Sequence, residues 1–157
     1  MKFRRIVAPT DFSSLSERGV AEAQSLAHSL GAELVLLHVV EPAVMAGDLY
    51  GASAMATVIE ELQHSAREAL ERAVAKIKKR GQRCRGVIAN GGAAAAIVDT
   101  ADRLRADLIV LATHGRSGFS HLLLGSVAER VVRSAACPVL TLPSTPPRAR
   151  NRRARKR

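Results

Sequence analysis

The chain reads Glu33-Leu34-Val35-Leu36-Leu37-His38-Val39-Val40 before the pair Glu41-Pro42 ends the run. An almost unbroken apolar run of this length is typical of a strand buried on both faces, and such strands belong to parallel sheets. Residues 3–9 predict a shorter strand that ends in a proline. Between the two, apolar and small residues recur every three or four positions over 15–30, which predicts an amphipathic helix closed by Gly31. The opening of the chain therefore predicts a strand, a helix and a second strand.

The same alternation continues to residue 142. After a loop at 42–56, we predict a helix over 57–80, a strand over 84–89, a helix over 93–105, a strand over 107–112, a helix over 125–135 and a strand over 139–142. Parallel strands joined by helices require right-handed crossovers, so the fold class predicted is α/β: an open five-stranded parallel sheet, Rossmann-like, with helices on both faces. Ligands of such sheets bind outside the carboxyl ends of the strands. Functional residues are therefore expected after Pro9, Val40, Asn90 and Ala112.

Length and composition predict one domain at 1–142 and a tail at 143–157. A chain of 157 residues with 47% hydrophobic residues can fill one core without a disulfide or a metal. Of the net charge of +10, all but +3 comes from the last ten residues. Their basic residues are Arg148, Arg150, Arg152, Arg153, Arg155, Lys156 and Arg157. We expect a Pro-rich linker and a disordered arm, which either binds nucleic acid or another polyanion or is a solvated tail without a specific partner.

Several classes of protein are excluded by the composition. No run of about eighteen apolar residues is present, so we expect a cytoplasmic protein with no membrane contact. The two cysteines, Cys84 and Cys137, form no disulfide framework or metal motif, and the five histidines have no metal-ligand spacing. Aromatic residues make up only 3% of the chain, which argues against stacking platforms for single-stranded nucleic acid.

The most informative stretch runs Thr113-His114-Gly115-Arg116-Ser117-Gly118-Phe119-Ser120-His121-Leu122-Leu123-Leu124-Gly125-Ser126, from a strand into a helix. Glycines let the backbone approach a ligand, and the free N–H groups of a helix start attract phosphate. The alternative is that Gly115 and Gly118 only form turns and that Ser126 only caps the helix. A rival P-loop at 81–86 is excluded, because Val87 stands where a lysine is needed.

This stretch resembles the nucleotide-binding signature of the universal stress protein family, in which a glycine, two residues, a glycine, nine residues, a glycine and a serine or threonine follow one another. Gly115, residues 116–124, Gly125 and Ser126 match that spacing, and the first glycine of the signature falls at Ala112. The similarity extends to residues 6–13, 36–39, 126–131 and 137–140, which span the folded body.

The resemblance implies an adenine nucleotide hydrolase-like sheet that is usually dimeric and binds ATP at the strand ends. It implies that Asp11 faces the ribose and adenine, although this side chain could also simply cap a helix. It implies that the backbone of Val39 reads the adenine edge, and that Mg²⁺ or Mn²⁺ can accompany the phosphates. The positions implied for nucleotide contact are Pro9, Thr10, Asp11, Val39, Leu111, Ala112, His114, Gly115, Arg116, Gly118, Gly125, Ser126 and Val127.

Two functions follow as hypotheses. The first is a universal stress protein that binds ATP and acts as a nucleotide-dependent regulator of the stress response. No residue stands out as a general base for water, so we expect at most a slow ATPase. The second is a dimeric family member that binds no nucleotide and works through protein contacts. In both cases the resemblance implies a homodimer formed through the edge strand Val139–Leu142.

Overall fold

The computed structural model describes residues 2–41, 52–113 and 125–143, in which strands and helices alternate. In chain order the elements are β1 (Arg5–Pro9), α1 (Ser14–Leu30), β2 (Glu33–Val40), α2 (Ala52–Lys78), β3 (Cys84–Asn90), α3 (Ala93–Arg103), β4 (Leu108–Ala112), α4 (Ser126–Ser134) and β5 (Val139–Leu142). The predicted alternation is confirmed for every element.

The five strands form one all-parallel sheet in the order β3-β2-β1-β4-β5. The chain therefore builds outward from β1 in one direction through β3, and then crosses back to add β4 and β5 on the other side. The strand order reverses between β1 and β4, which makes this the topological switch point of the sheet. The α/β fold class and the open five-stranded sheet are confirmed.

The core consists of two apolar clusters, one on each face of the sheet. Leu34 and Leu36 of β2 pack on the face covered by α1 and α2. Val35 and Leu37 of the same strand pack on the face that carries α3 and α4. All four side chains are fully buried. Burying each of them stabilises the fold by about 1.5–3 kcal/mol. The apolar run is unbroken because both faces of this strand are covered.

The ends of α1 follow from its sequence. Its N-cap is Ser13, whose hydroxyl accepts a hydrogen bond from the Ser16 N–H at 3.2 Å. Its C-cap is Gly31, which adopts the left-handed conformation (φ +63°) that glycine reaches without strain. The predicted C-terminal glycine is confirmed.

Two boundaries differ clearly from the sequence prediction. Helix α2 begins at Ala52, so the loop predicted for 42–56 is wrong over its last five residues. Those residues lack an apolar period, but three of them are alanines, which have the highest helix propensity. The same helix ends at Lys78 rather than at residue 80, because the chain turns toward Gly81, whose φ is +78°.

The remaining differences are small. Strand β1 begins at Arg5 rather than at residue 3. Strand β3 extends one residue further, to Asn90, and α3 ends at Arg103 rather than at residue 105. Arg105 itself has a φ of +49°, which is incompatible with a continuing helix.

Three further predictions concern membrane-spanning helices, the two cysteines and the tail. No helix in the described ranges is long and apolar enough to cross a membrane. Both cysteines are free thiols, and burial raises the pKa of Cys84 to about 11, so this thiol is inert at neutral pH. Of the tail predicted at 143–157, residues 144–157 lie outside the described residues, so the predicted disorder stays a prediction.

Candidate functional site

We use the word crevice for the place at the carboxyl edge of the sheet where β1 and β4 stop pairing. These strands pair only at Ile6 with Leu108 and at Val7 with Ile109, although each continues for two residues or more. The carbonyl of Arg5 faces β4, where it accepts the Asp107 N–H, so Pro9 faces β4 as well. Because proline has no N–H, it cannot extend this ladder.

The backbone of Val39 faces the same crevice. The last bond of the ladder between β1 and β2 runs from the Thr10 N–H to the Leu37 carbonyl, at 2.8 Å. Alternate residues of a strand direct their N–H and C=O groups to the same side, so Val39 directs its own past the end of β1. An amide donor and a carbonyl acceptor at this place match the edge of an adenine ring.

The turn after β1 is fixed to β2 by an aromatic stack and a hydrogen bond. The Phe12 ring lies on His38, with ring centroids 4.5 Å apart, and the His38 Nδ1–H donates to the Thr10 carbonyl at 2.8 Å. Thr10 is buried, and its hydroxyl accepts the Phe12 N–H at 3.0 Å. These contacts hold Phe12 at a φ of +61°. The side chain of the residue before it is left exposed at the rim of the crevice.

Asp11 is that exposed side chain. Its Oδ1 accepts hydrogen bonds from the N–H and the hydroxyl of Ser13, at 3.0 and 2.6 Å. Partial burial acts to raise the pKa of Asp11, but the hydrogen bonds from Ser13 and Ser16 outweigh it and hold the pKa below its usual value. Asp11 is therefore a carboxylate at neutral pH. The N-cap of α1 is Ser13 and not Asp11, and Asp11 accepts both of its hydrogen bonds from that cap residue.

The start of α4 differs from the starts of α1 and α3. In α1 the Ser13 hydroxyl accepts a first-turn N–H, and in α3 the Glu41 carboxylate accepts the Ala93 N–H at 2.7 Å. The N-cap of α4 is Gly125, whose carbonyl accepts the Glu129 N–H at 2.8 Å and which has no side chain to cap the helix. Among these three helix starts, only that of α4 lacks a side-chain acceptor in the described part of the chain, which leaves its N–H groups available to an anion.

Comparison with known proteins identifies the family. The model of the universal stress protein family matches residues 2–143. A universal stress protein of Methanocaldococcus jannaschii is 34% identical over 140 residues, which cover 89% of this chain and 82% of that protein. The chain belongs to the universal stress protein family.

Solved structures of other family members resemble the fold. The universal stress protein of Archaeoglobus fulgidus in complex with dAMP is 27% identical, with a TM-score of 0.62 over 90% of this chain and 98% of that one. A universal stress protein in complex with cAMP is 26% identical, with a TM-score of 0.64 over 92% of this chain and 100% of that one. Both ligands are adenine nucleotides.

In this universal stress protein, Ala112 occupies the position of the first signature glycine. Strand alternation directs its methyl group to the α1 face, since Val110 packs on that face and Leu111 on the other. There it meets Gly19 of α1: a Cβ added at Gly19 would lie 3.5 Å from the Ala112 methyl and 3.1 Å from the Ala112 nitrogen. The additional methyl group is therefore accommodated by a glycine in the facing helix.

The end of β4 is also tied to the edge strand. The N–H and the hydroxyl of Thr113 both donate to the Leu142 carbonyl, at 2.8 and 3.1 Å. Thr113, the first residue after β4 and the first of the quoted stretch, is thus fixed to the end of β5.

Nine of the thirteen positions implied by the resemblance are described, and all nine lie at the carboxyl edge of the sheet or at the start of α4. The side chains of Thr10 and Leu111 are buried, so only their backbone is accessible to a ligand. The other four positions lie outside the described residues. They are His114, Gly115, Arg116 and Gly118.

Four contributors to the site were not predicted: Phe12, Gly19, His38 and Glu41. A polar ring within an apolar strand signalled that His38 has a partner, but nothing in the sequence indicated that this partner is Phe12. Glu41 lies far along the chain from α3, so its role as a cap depends on the sheet register, in which Val40 pairs with Asn90. Glu41, Gly92 and the first residues of α3 line one cavity with Ser126 and Val127 at the start of α4.

We predict that Ser13→Ala raises the pKa of Asp11 toward its ordinary value, because both observed hydrogen bonds to Oδ1 involve Ser13 and one of them is lost. The lowered pKa means that Asp11 stabilises the fold above its unfolded pKa and that this contribution is lost as the pH falls through the folded pKa. An NMR titration of the Asp11 carboxyl measures the shift. Ser29→Ala, on the exposed surface of α1, is the matched control; equal Asp11 pKa values in both variants would refute the assignment.

Proposed function

We propose that this protein binds ATP in the crevice between β1 and β4 and acts as a nucleotide-dependent regulator of the stress response. The observation that carries the proposal is the start of α4, which has no side-chain acceptor among the described residues and lies at the same edge as the outward-facing backbone of Val39. One end of the crevice thus offers donors for phosphate, and the other offers a donor and an acceptor for a base.

At the base end, the N–H and C=O of Val39 pair with the adenine edge. Asp11 accepts hydrogen bonds from the ribose hydroxyls, for which an ionised carboxylate is a strong acceptor. The stack of Phe12 on His38 keeps that carboxylate in place. The nucleotides in the printed descriptions of the two solved relatives, cAMP and dAMP, support the choice of adenine.

At the phosphate end, the N–H groups of Ser126 and Val127 and the Ser126 hydroxyl bind the phosphate oxygens, with the positive end of the α4 dipole behind them. The signature residues Gly115 and Arg116 complete this end by resemblance. The described residues contain no group of three metal-ligating side chains, so Mg²⁺ or Mn²⁺ would arrive on the phosphates, with the Ser126 hydroxyl as a candidate protein ligand.

We propose binding rather than rapid turnover. Asp11 is the carboxylate proposed to face the ribose, and its lowered pKa makes it a weak base toward water. Slow hydrolysis would still be compatible with a nucleotide-state sensor in the cytoplasm, where the proposed ligand is abundant.

Gly125→Val is expected to lower the affinity for ATP with Mg²⁺ at least tenfold, or by about 1.4 kcal/mol, because its side chain occupies the space of a phosphate. The backbone of Gly125 (φ −58°, ψ 150°) is open to any residue, so the fold survives. Calorimetric titration of the full chain measures the affinity, and mass analysis identifies any nucleotide that co-purifies.

Ala136→Val is the control for that experiment. Ala136 is exposed and follows α4 at the amino edge of the sheet, so the same side chain is added at the end of the sheet opposite the crevice. Its replacement should leave the ATP affinity unchanged. If the unmodified chain binds no ATP and carries no co-purified nucleotide, the proposal fails and the dimeric protein that acts through protein contacts takes its place.

We predict that Ala112→Gly changes the ATP affinity less than tenfold, or by less than about 1.4 kcal/mol, because the methyl group faces α1. Gly19→Val should lower the affinity more, since its Cβ presses on the Ala112 backbone at the rim of the crevice. The same titration compares the two variants, and their melting temperatures check the fold. A large gain in affinity in Ala112→Gly would mean that the methyl group obstructs the ligand.

We also propose that two copies pair through β5, which lies at the edge of the sheet. The carbonyls of Pro138 and Leu142 face β4, so Val139 and Thr141 direct their backbone groups outward. An open edge of this kind is a template for a second strand.

Thr141→Pro should convert the dimer to a monomer, because it removes an outward N–H and leaves the ladder to β4 in place. Thr141→Val retains the N–H and should remain dimeric. Sedimentation velocity of the two variants and the parent chain separates these states. A monomeric parent chain, or a Thr141→Pro variant that stays dimeric, would exclude β5 as the interface.

For the tail, the sequence supports a polyanion-binding arm, since residues 148–157 carry seven positive charges and no acid. Neutralising this arm separates its contribution from that of the folded body.

A further inference from the structure

The amino edge of the sheet, opposite the nucleotide crevice, carries a concentrated positive charge. We call it the basic face, and it comprises the first residues of the strands and the last residues of α2 and α3. Its cationic residues are Lys2, Arg4, Arg5, Lys78, Lys79, Arg80, Arg83, Arg85, Arg103 and Arg105. Only three acidic residues share it: Glu33, Asp102 and Asp107. The rest of the chain up to residue 143 contains seven cationic and eleven acidic residues, so the charge of the body is strongly asymmetric.

The sheet holds several of these cations in a fixed row. The Arg83 carbonyl accepts the Leu34 N–H at 2.9 Å, and the Arg4 carbonyl accepts the Glu33 N–H at 2.8 Å. The Arg5 carbonyl accepts the Asp107 N–H at 2.9 Å on the other side of β1. Adjacent strands lie about 4.8 Å apart, so the arginines at these strand starts are displayed along one line.

The acidic residues of the basic face neutralise little of this charge. Glu33 pairs with Arg5 and with Arg85, at 2.8 Å each. The Asp107 carboxylate accepts hydrogen bonds from the backbone N–H groups of Arg4 and Arg5, at 2.8 Å each. Within the described residues, the other eight cations form no ion pair with a carboxylate.

Helix dipoles account for only part of the cluster. Lys78 and Arg103 lie in the last turns of α2 and α3, where a cation is stabilised by the negative end of the helix. Lys2 and Arg4 precede β1, and both are exposed to solvent. Arg83 donates to the Gly31 carbonyl at 2.6 Å, yet the residue itself remains exposed. These three cations are available to an external anion.

The composition of the basic face favours a nucleic acid over an acidic protein. Seven of the ten cations are arginines, whose planar guanidinium groups bind phosphate in a bidentate manner. Protein interfaces need an apolar centre, whereas the groove at this edge offers mainly Leu30, which is 47% exposed, and the half-buried Phe3. A single strand would need exposed rings to stack its bases.

We infer that the basic face binds the phosphate backbone of double-stranded nucleic acid without sequence preference. This inference is independent of the nucleotide crevice, which lies at the other end of the strands. The eight residues of β2 separate the two edges by about 26 Å.

The test uses the full chain, with the seven tail cations replaced by glutamine, and a 20-base-pair DNA duplex labelled for fluorescence anisotropy. Affinity is measured over a range of salt concentrations. The variant of the basic face combines Arg4→Gln, Arg83→Gln and Arg105→Gln. The matched control combines Arg18→Gln, Arg67→Gln and Arg72→Gln, which remove the same charge from exposed surfaces of α1 and α2 that lie away from the amino edge.

The expected result is that the basic-face variant lowers the slope of log affinity against log salt by up to about three, since each lost phosphate contact contributes about 0.9. The control should retain the parent slope, and thermal unfolding checks that both variants fold. An equal decrease of the slope in the two variants would show that DNA binding depends on the net charge of the protein and not on the basic face. Loss of all binding on neutralising the tail would assign it to the tail. Tighter binding of a single-stranded oligonucleotide or of polyglutamate would equally overturn the inference.

Discussion

The arrangement of the site depends on one missing hydrogen-bond donor, the N–H that Pro9 does not have. At the switch point, β1 and β4 begin as paired strands and stop pairing after two residues on each. Had residue 9 been able to donate to β4, the ladder could have extended toward the carboxyl edge. The opening exists because the chain places a proline where the donor would face the neighbouring strand.

The three described helix caps then divide the helix starts into closed and open ones. Ser13 closes α1, and Glu41, which comes from the end of β2, closes α3. Within the described residues, the start of α4 has no side-chain acceptor. A helix start without a side-chain acceptor can offer its N–H groups to an anion, which is why the proposed phosphate position lies at α4 and not at α1 or α3.

The features that local sequence decides were predictable, and those that depend on contacts across the fold were not. The apolar run at 33–40 predicted the buried strand because successive residues of a strand point to opposite faces, so a continuous apolar run requires both faces to be covered. The role of Gly19 was not predictable, because it depends on Ala112 nearly a hundred residues later. The start of α2 was missed because alanines form helices without the apolar period that identifies a packed face. Of the candidate site, the strand ends were predicted, while the contacts that fix Asp11 required the structure.

The carbonyl of Leu142 connects the end of β4 to the open edge of the sheet. It accepts both hydrogen bonds of Thr113, the residue that leads into the signature stretch, and it terminates the strand with the open edge. A ligand that shifts Thr113 therefore also strains the end of β5, and a partner strand that moves β5 strains Thr113. Because binding free energies are linked reciprocally, any effect of nucleotide on self-association must equal the effect of self-association on nucleotide affinity. Two hydrogen bonds to one oxygen atom thus offer this small fold a route for communication between two surfaces.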